Sequence, residues 1–516
     1  TTSFFTSHHL WNFSRPSVTA MLRTLHLVVL SSTCICGCAA NHVAFAGVDI
    51  IYPNPRAFAA KRTDGSVVTW GNSDEGGDSS AVSSDLSSGV DVIRSTKTAF
   101  AAKKNDGSVV TWGDSLNGGN SSSVASDLSS GVDVIYSNPL AFAAKKTDGS
   151  VVTWGNSFAG GNSSSVAGDL SSGVDAIYST SYAFAARKTD GSVVTWGDSY
   201  SGGNSSSVAS DLSSGVDAIV SNDAAFAATK TDGSVVTWGD SDSGGNSSSV
   251  ASDLSSEVDA ITSTLFAFAA KKTDGSVVTW GDPSAGGNSS SVASDLSSGV
   301  DVIYSSQLAF AAKKNDGSVV TWGSSDFGGD SSSVASDLSS GVDVIYSTFS
   351  AFAAKKLDGS VVTWGNAYNG GNSSSVASNL SSGVDVIYSN GYAFAAKKTD
   401  GSVVTWGAPY AGGDSSSAAD DLSSGVDVIY SNTGAFVAKK LDGSIVAWGN
   451  AAFGGDISGV AFPTMTSAHT SATTSASATL SQDDPDKEES QPESRSWTPT
   501  VLLGFLCAFV RAVCSF

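Results

Sequence analysis

Asp64-Gly65-Ser66-Val67-Val68-Thr69-Trp70-Gly71 joins a turn dipeptide to a short apolar run that ends on a large aromatic anchor. Its tryptophan returns at Trp112, Trp154, Trp196, Trp238, Trp280, Trp322, Trp364, Trp406 and Trp448, each 42 residues after the last, with no insertion or deletion. Ten copies of one unit therefore fill the middle of the 516-residue chain, and its architecture is that of a tandem repeat.

Working outward from the turn, Asp-Gly is the dipeptide best suited to a two-residue type I′ hairpin, where both central residues take positive φ. Before it stands an alanine-flanked phenylalanine strand, as in Ala99-Phe100-Ala101-Ala102, and after it the Val-Val-Thr-Trp strand. A third apolar run, Val132 to Ser137 in the third copy, precedes the phenylalanine strand by a short loop. Each copy is predicted to be a three-stranded antiparallel meander. The rest of each copy, such as residues 118–131, is Gly/Ser-rich around one periodic leucine (Leu128, Leu170, Leu212) and reads as the crossing to the next sheet. One such sheet cannot bury its own apolar faces, so Trp and Phe must pack between consecutive copies. The fold class is all-β.

Composition excludes several functions. The formal net charge of −22 repels a phosphate backbone, which argues against nucleic acid. The Lys-Lys pairs before the turn (Lys103-Lys104, Lys145-Lys146) read as solvated strand ends among neighbouring Asp. Cysteine occurs only at Cys34, Cys36, Cys38, Cys507 and Cys514, and histidine only at His8, His9, His26, His42 and His469. The repeats thus lack the usual general base and thiolate, no catalytic residue is assigned, and the chain is expected not to be an enzyme. No cofactor is implied. No metal site is assigned either, since the Asp spacing matches no calcium loop.

The ends differ from the repeats. Met21 is the first methionine, and residues 21–40 run from one arginine through an apolar stretch to Cys38-Ala39-Ala40, as a secretory signal does. Residues 1–20 would then be a non-native leader. The repeats occupy 48–457; residues 464–496 are Ser/Thr-rich and then charged, a disordered stalk; residues 497–516 form a hydrophobic tail. The tail, interrupted by Arg511, suits either a glycolipid-anchor signal or a membrane helix, and membrane attachment through it is one expectation. The expected location is secreted or cell-surface, with a cytoplasmic one the alternative.

The pattern Gly131-Val132, Ala-Phe-Ala-Ala, Asp-Gly, Val-Val-Thr-Trp-Gly and Gly118-Gly119 resembles the repeat of the regulator of chromosome condensation family, and most closely its shorter bacterial form of the beta-lactamase inhibitor protein II type. The resemblance covers about 410 residues and implies a β-propeller. It departs in three ways: Ser-Asn or Ser-Thr follows the first strand in place of glycine, the family's histidine is absent, and there are ten copies where the family has seven. One large ring, a seven-bladed ring with three extra copies, and an open superhelix all fit. What the resemblance implies functionally is a protein-binding propeller, with a GTPase-exchange or ubiquitin-pathway scaffold inside the cell as one alternative and a structural or adhesive coat as another.

The copies are nearly identical outside two windows, the pair before Ala-Phe and the residues after Trp-Gly, which a meander brings to one face. The first holds Arg56, Lys97, Leu140, Tyr182, Phe266, Leu308, Phe349 and Tyr392; the second holds Leu116, Phe158, Tyr200, Phe327, Tyr368, Tyr410 and Phe453. Aromatics among Ser and Gly mark a binding face for a protein or glycan partner. The position after Gly-Gly is always Asn or Asp. Where it is Asn120, Asn162, Asn204, Asn246, Asn288 or Asn372 a glycosylation sequon arises, while the exchange with Asp points to an Asx turn.

Overall fold

The computed structural model describes residues 42–43 and 47–460. The expected leader, signal segment, stalk and hydrophobic tail lie outside them. Each copy forms three antiparallel strands, in the first copy Val48–Pro53, Ala57–Arg62 and Val67–Gly71. A β-bulge at the start of the first strand shifts its pairing between Val48 and Ile50. In the hairpin that follows, Phe58 lies opposite Trp70, and their rings stack at 5.3 Å. This pair recurs in every copy, down to 5.0 Å for Phe226 and Trp238.

The middle strand is buried on both faces because each sheet lies between two others. Its alanines make that spacing workable. Ala57 and Ala59 of the first copy receive Val90, Ile93, Phe100 and Trp112 of the second together with Leu86 of the connector between them, so small residues on one sheet meet large ones on the next. Each Trp also crosses the interface as a donor, as Trp112 Nε1 does to the carbonyl of Gly76 at 3.0 Å. Gly76 must be glycine there, since its φ is +98° and a Cβ would stand 2.6 Å from the Phe100 ring.

The tenth copy meets the first through the same contacts. Trp70 Nε1 donates to the Gly454 carbonyl at 3.2 Å, and Lys439 Nζ to the Asp49 carbonyl at 3.0 Å. Ala435 and Val437 of the last copy pack with Phe58 and Trp70 of the first. Nine interfaces contain a connector leucine, and this one contains Ile457. The ten sheets form one closed ring, a ten-bladed β-propeller, and the open and seven-plus-three arrangements are set aside. The seal joins Val48 and Ile51 of the first copy to Ile445 and Ala447 of the last, and it extends further. A short strand, His42–Val43, adds to the outer edge of the last sheet opposite Val446 and Ile445, making that sheet four-stranded.

First strands of successive copies contact one another and are innermost. A serine ladder stitches them: Ser137 Oγ donates to the Ser95 carbonyl at 2.7 Å, and Ser305 Oγ to that of Ser263 at 2.7 Å. Pro53, without a hydroxyl, breaks the ladder at the seam.

The Asp-Gly turn differs from expectation. Gly65 has φ +77°, but Asp64 does not take positive φ, so the turn is not type I′. Gly65 N donates to the Arg62 carbonyl at 2.9 Å and Arg62 N to that of Ser66 at 2.8 Å. This is a three-residue loop, Thr63-Asp64-Gly65, in which an ordinary turn is followed by a left-handed glycine bulge. Asp64 is held by its own side chain, whose Oδ1 accepts from Ser66 N at 2.9 Å and Ser66 Oγ at 2.6 Å. These bonds keep its carboxyl below the usual range.

Candidate binding face

Both variable windows lie at the end of each sheet opposite the Asp-Gly turns, and a buried side chain clips them together. The residue after the first strand is Asn, Thr or Ser in every copy. Asn390 is representative: Oδ1 accepts from Tyr392 N and Ala393 N at 2.9 and 2.8 Å, and Nδ2 donates to the Ala411 carbonyl at 2.6 Å. Thr264 does the same with one hydroxyl, accepting from Ala267 N and donating to the Ala285 carbonyl. In each copy this side chain supplies the bonds that fix the loop. Sequence reasoning noted the substitution but missed the role; restriction of a buried period position to residues that both donate and accept was the available signal.

The first-window loops are also joined to one another. Ser181 N donates to the Asp223 carbonyl, Asp223 N to Leu265, Leu265 N to Gln307, Gln307 N to Phe349 and Phe349 N to Gly391, at 2.8 to 3.2 Å. Pro139 and Pro55, having no N–H, cannot continue that run. Ser181 Oγ meets Asp223 Oδ1 at 2.5 Å. Burial raises the Asp223 carboxyl and lowers the Lys97 ammonium, and each feels the other's charge in the opposite direction.

The candidate residues divide by exposure. Leu116, Phe158, Tyr200, Tyr368 and Tyr410 stand out into solvent, from 48% exposed at Tyr410 to 74% at Leu116. Leu140, Tyr182, Phe266, Leu308 and Phe327 are half-buried against the cores. Phe349 is also half-buried and lies over Gly391, where a Cβ would be 2.5 Å from its ring.

Contacts collect the aromatics into groups. Phe158 meets Tyr182 edge-on at 5.9 Å. Phe349 meets Tyr392 at 5.2 Å, Tyr392 meets Tyr410 at 5.7 Å, and Tyr410 meets Tyr368 at 6.2 Å, a continuous patch over the eighth and ninth copies. Burial, then the two neighbouring tyrosines, raise the Tyr410 hydroxyl. Across the seam Arg56 lies over the Phe453 ring at 5.2 Å and pairs with Glu75 at 2.9 Å. Between patch and seam is a cleft of about 240 Å³ lined by Pro55, Arg56, Tyr392, Tyr410, Thr433, Asn450 and Phe453. Leu116, Tyr200, Phe266 and Phe327 belong to none of these groups. The neighbouring Asp240 carboxylate instead raises the Tyr200 phenol. Burial would raise Asp240, but bonds from Ser243, Tyr200 and two amides outweigh it and hold the carboxyl low.

All six sequon asparagines are exposed. Like the Asp at that position, each accepts from the amide two residues on, as Asn120 Oδ1 does from Ser122 N at 3.0 Å and Asp78 Oδ1 from Ser80 N at 2.8 Å.

No family model and no curated protein matches this chain. Solved structures are similar to it. The computationally designed Ika8 protein is 14% identical over 70% of this chain and 96% of its own, with a TM-score of 0.27. Yeast RCC1 (Prp20), solved with Kap60, is 12% identical over 75% and 86%, with a TM-score of 0.30. The ectodomain of the Physcomitrella patens receptor kinase CR4 is 12% identical over 53% and 72%, with a TM-score of 0.29. The ten-bladed ring stands on its own sheets and seam, and no function is carried over from these structures.

Proposed function

We propose that this chain is a non-enzymatic propeller, of the repeat type resembling the short bacterial form, that binds a protein or glycan partner through its variable face at the cell surface or after secretion. The observation that carries the reading is the placement of both windows on one face by ten buried clips, with a continuous aromatic patch from Phe349 to Tyr368. Aromatic side chains supply large contact area at small entropic cost, which is why they anchor interfaces. The face is built of nearly invariant parts that vary only where a partner would touch. The repeat body holds no histidine or cysteine, which favours binding over catalysis. Surface location is supported by the signal-like residues 21–40 and by six exposed sequons.

The test is the joint replacement of Phe158, Tyr200 and Tyr368 by Ser, followed by binding of the purified protein to cell-surface extracts. Saturable binding is expected to fall at least about tenfold, since each anchor is worth more than about 1 kcal/mol. Binding that is unchanged overturns the assignment of this face.

A further inference from the structure

We propose that the closed ring opens at the interface between its fifth and sixth copies, which acts as a hinge between two half-rings of five sheets. The near identity of the copies makes each interface a control for the others, and this one lacks several of the contacts that hold the rest.

The fifth residue of each first strand lies over the next sheet. It is tyrosine in seven copies, as Tyr178 between the fourth and fifth and Tyr430 across the seam. The fifth copy has Val220, so a whole phenol ring is missing from that interface. Of the other two exceptions, Thr262 recovers a bond, its Oγ1 donating to the Ile303 carbonyl at 3.3 Å, and Arg94 keeps a long side chain. The fifth residue of each middle strand is Lys or Arg in nine copies, and in several it reaches the following sheet. Lys61 Nζ donates to the Asp91 carbonyl at 3.0 Å, and Lys397 Nζ to that of Asp427 at 3.0 Å. Thr229 stands there in the fifth copy and brings no cation to Asp259.

The sixth copy is altered on its own side of the same interface. Ile261 is only half-buried, whereas the isoleucine at that position in the other nine copies is 1 to 8% exposed, so less apolar area leaves water here. Glu257, at the foot of the first strand, takes φ +65° where nine copies have glycine, and so carries backbone strain. Val258 beside it belongs to the interface core.

What remains holds the joint shut. Trp280 Nε1 donates to the Gly244 carbonyl at 3.0 Å, and Ser263 Oγ to that of Ser221 at 2.9 Å. The seam keeps its tyrosine, its buried Ile51 and the bond from Lys439 to the Asp49 carbonyl, so the interface without a covalent connector is not the weakest one. Five copies lie between the two joints on either side, and they face each other across the ring. Local opening begins where buried contacts are fewest. When this joint opens, the first-window loops part at the bond from Asp223 N to the Leu265 carbonyl, 3.2 Å, and the variable face widens without unfolding a sheet.

Residues 48–457 contain no cysteine, so one introduced thiol reports on one interface. In the full chain, with Cys34, Cys36, Cys38, Cys507 and Cys514 replaced by Ser, the equivalent residues Ala143, Ala185 and Ala227 are changed singly to Cys. All three are fully buried, in the interfaces of the third copy with the fourth, the fourth with the fifth and the fifth with the sixth. Labelling by a soluble thiol reagent under native conditions should be at least about tenfold faster for Ala227→Cys than for the other two, as local opening requires. Its rate should respond to urea more weakly than global unfolding does, because less surface is exposed. Adding Val220→Tyr and Thr229→Lys, the residues found in most other copies, should slow it to the rate of the others, and Thr229→Lys alone should slow it in part. Circular dichroism and the melting profile establish that each variant folds. Equal rates at the three sites, a urea response equal to that of global unfolding, or a rate for Ala227→Cys that neither addition slows overturns the joint.

Discussion

Glu257 is the only non-glycine residue with positive φ, +65°, among the described residues. Nine copies put glycine at the corresponding position, as at Gly89 and Gly131. A Cβ at Gly89 meets nothing closer than 3.5 Å, so the cost at Glu257 is torsional, not a collision. Its ion pair with Lys272, at 3.7 Å and solvent-exposed, offsets little of that. Glu257→Gly is expected to stabilise the protein by about 1 kcal/mol, read as a higher denaturation midpoint at unchanged slope; an equal or lower midpoint would refute the strain. At this scale the sequence was partly legible. The need for glycine in Asp-Gly was visible, but not that Asp64 would be satisfied by bonding Ser66 in place of adopting positive φ.

Within one sheet, the pairing of Phe and Trp across the hairpin is the feature on which stability turns. Trp238 stacks on Phe226 at 5.0 Å, donates to the Gly202 carbonyl at 3.1 Å, and packs on Ala183 and Ala185 of the preceding sheet. Trp238→Ala should cost about 3 to 5 kcal/mol, measurable by equilibrium unfolding; a loss below about 1 kcal/mol would mean the ring contributes no interface packing. The three strands were readable from the Asp-Gly turn and the apolar runs around it. The clips were not, because Asn390 and Ala411 are 21 residues apart and only the folded loop reveals that one side chain serves both windows.

For the whole ring, the seam is the place to test. The His42–Val43 strand protects the outer edge of the last sheet, which would otherwise expose unpaired amides. A chain starting at Gly47 should keep the core contacts of Trp70 and Lys439 but lose hydrogen-exchange protection at Ile445 and Val446, while Val235, whose amide donates to the Leu254 carbonyl at 2.9 Å, stays protected. Protection at Ile445 and Val446 unchanged from that of the full chain would show that the short strand does not seal this edge.

The 42-residue period, the three strands and the two variable windows were all written in the sequence, because each depends on residues within one copy or the next. Closure depends on the rotation from sheet to sheet summed over ten interfaces, and no single residue carries that sum, so one ring could not be told from a superhelix before the tertiary structure. The cleft has the same origin. Arg56 and Phe453 are distant in the chain and meet only where the ring closes.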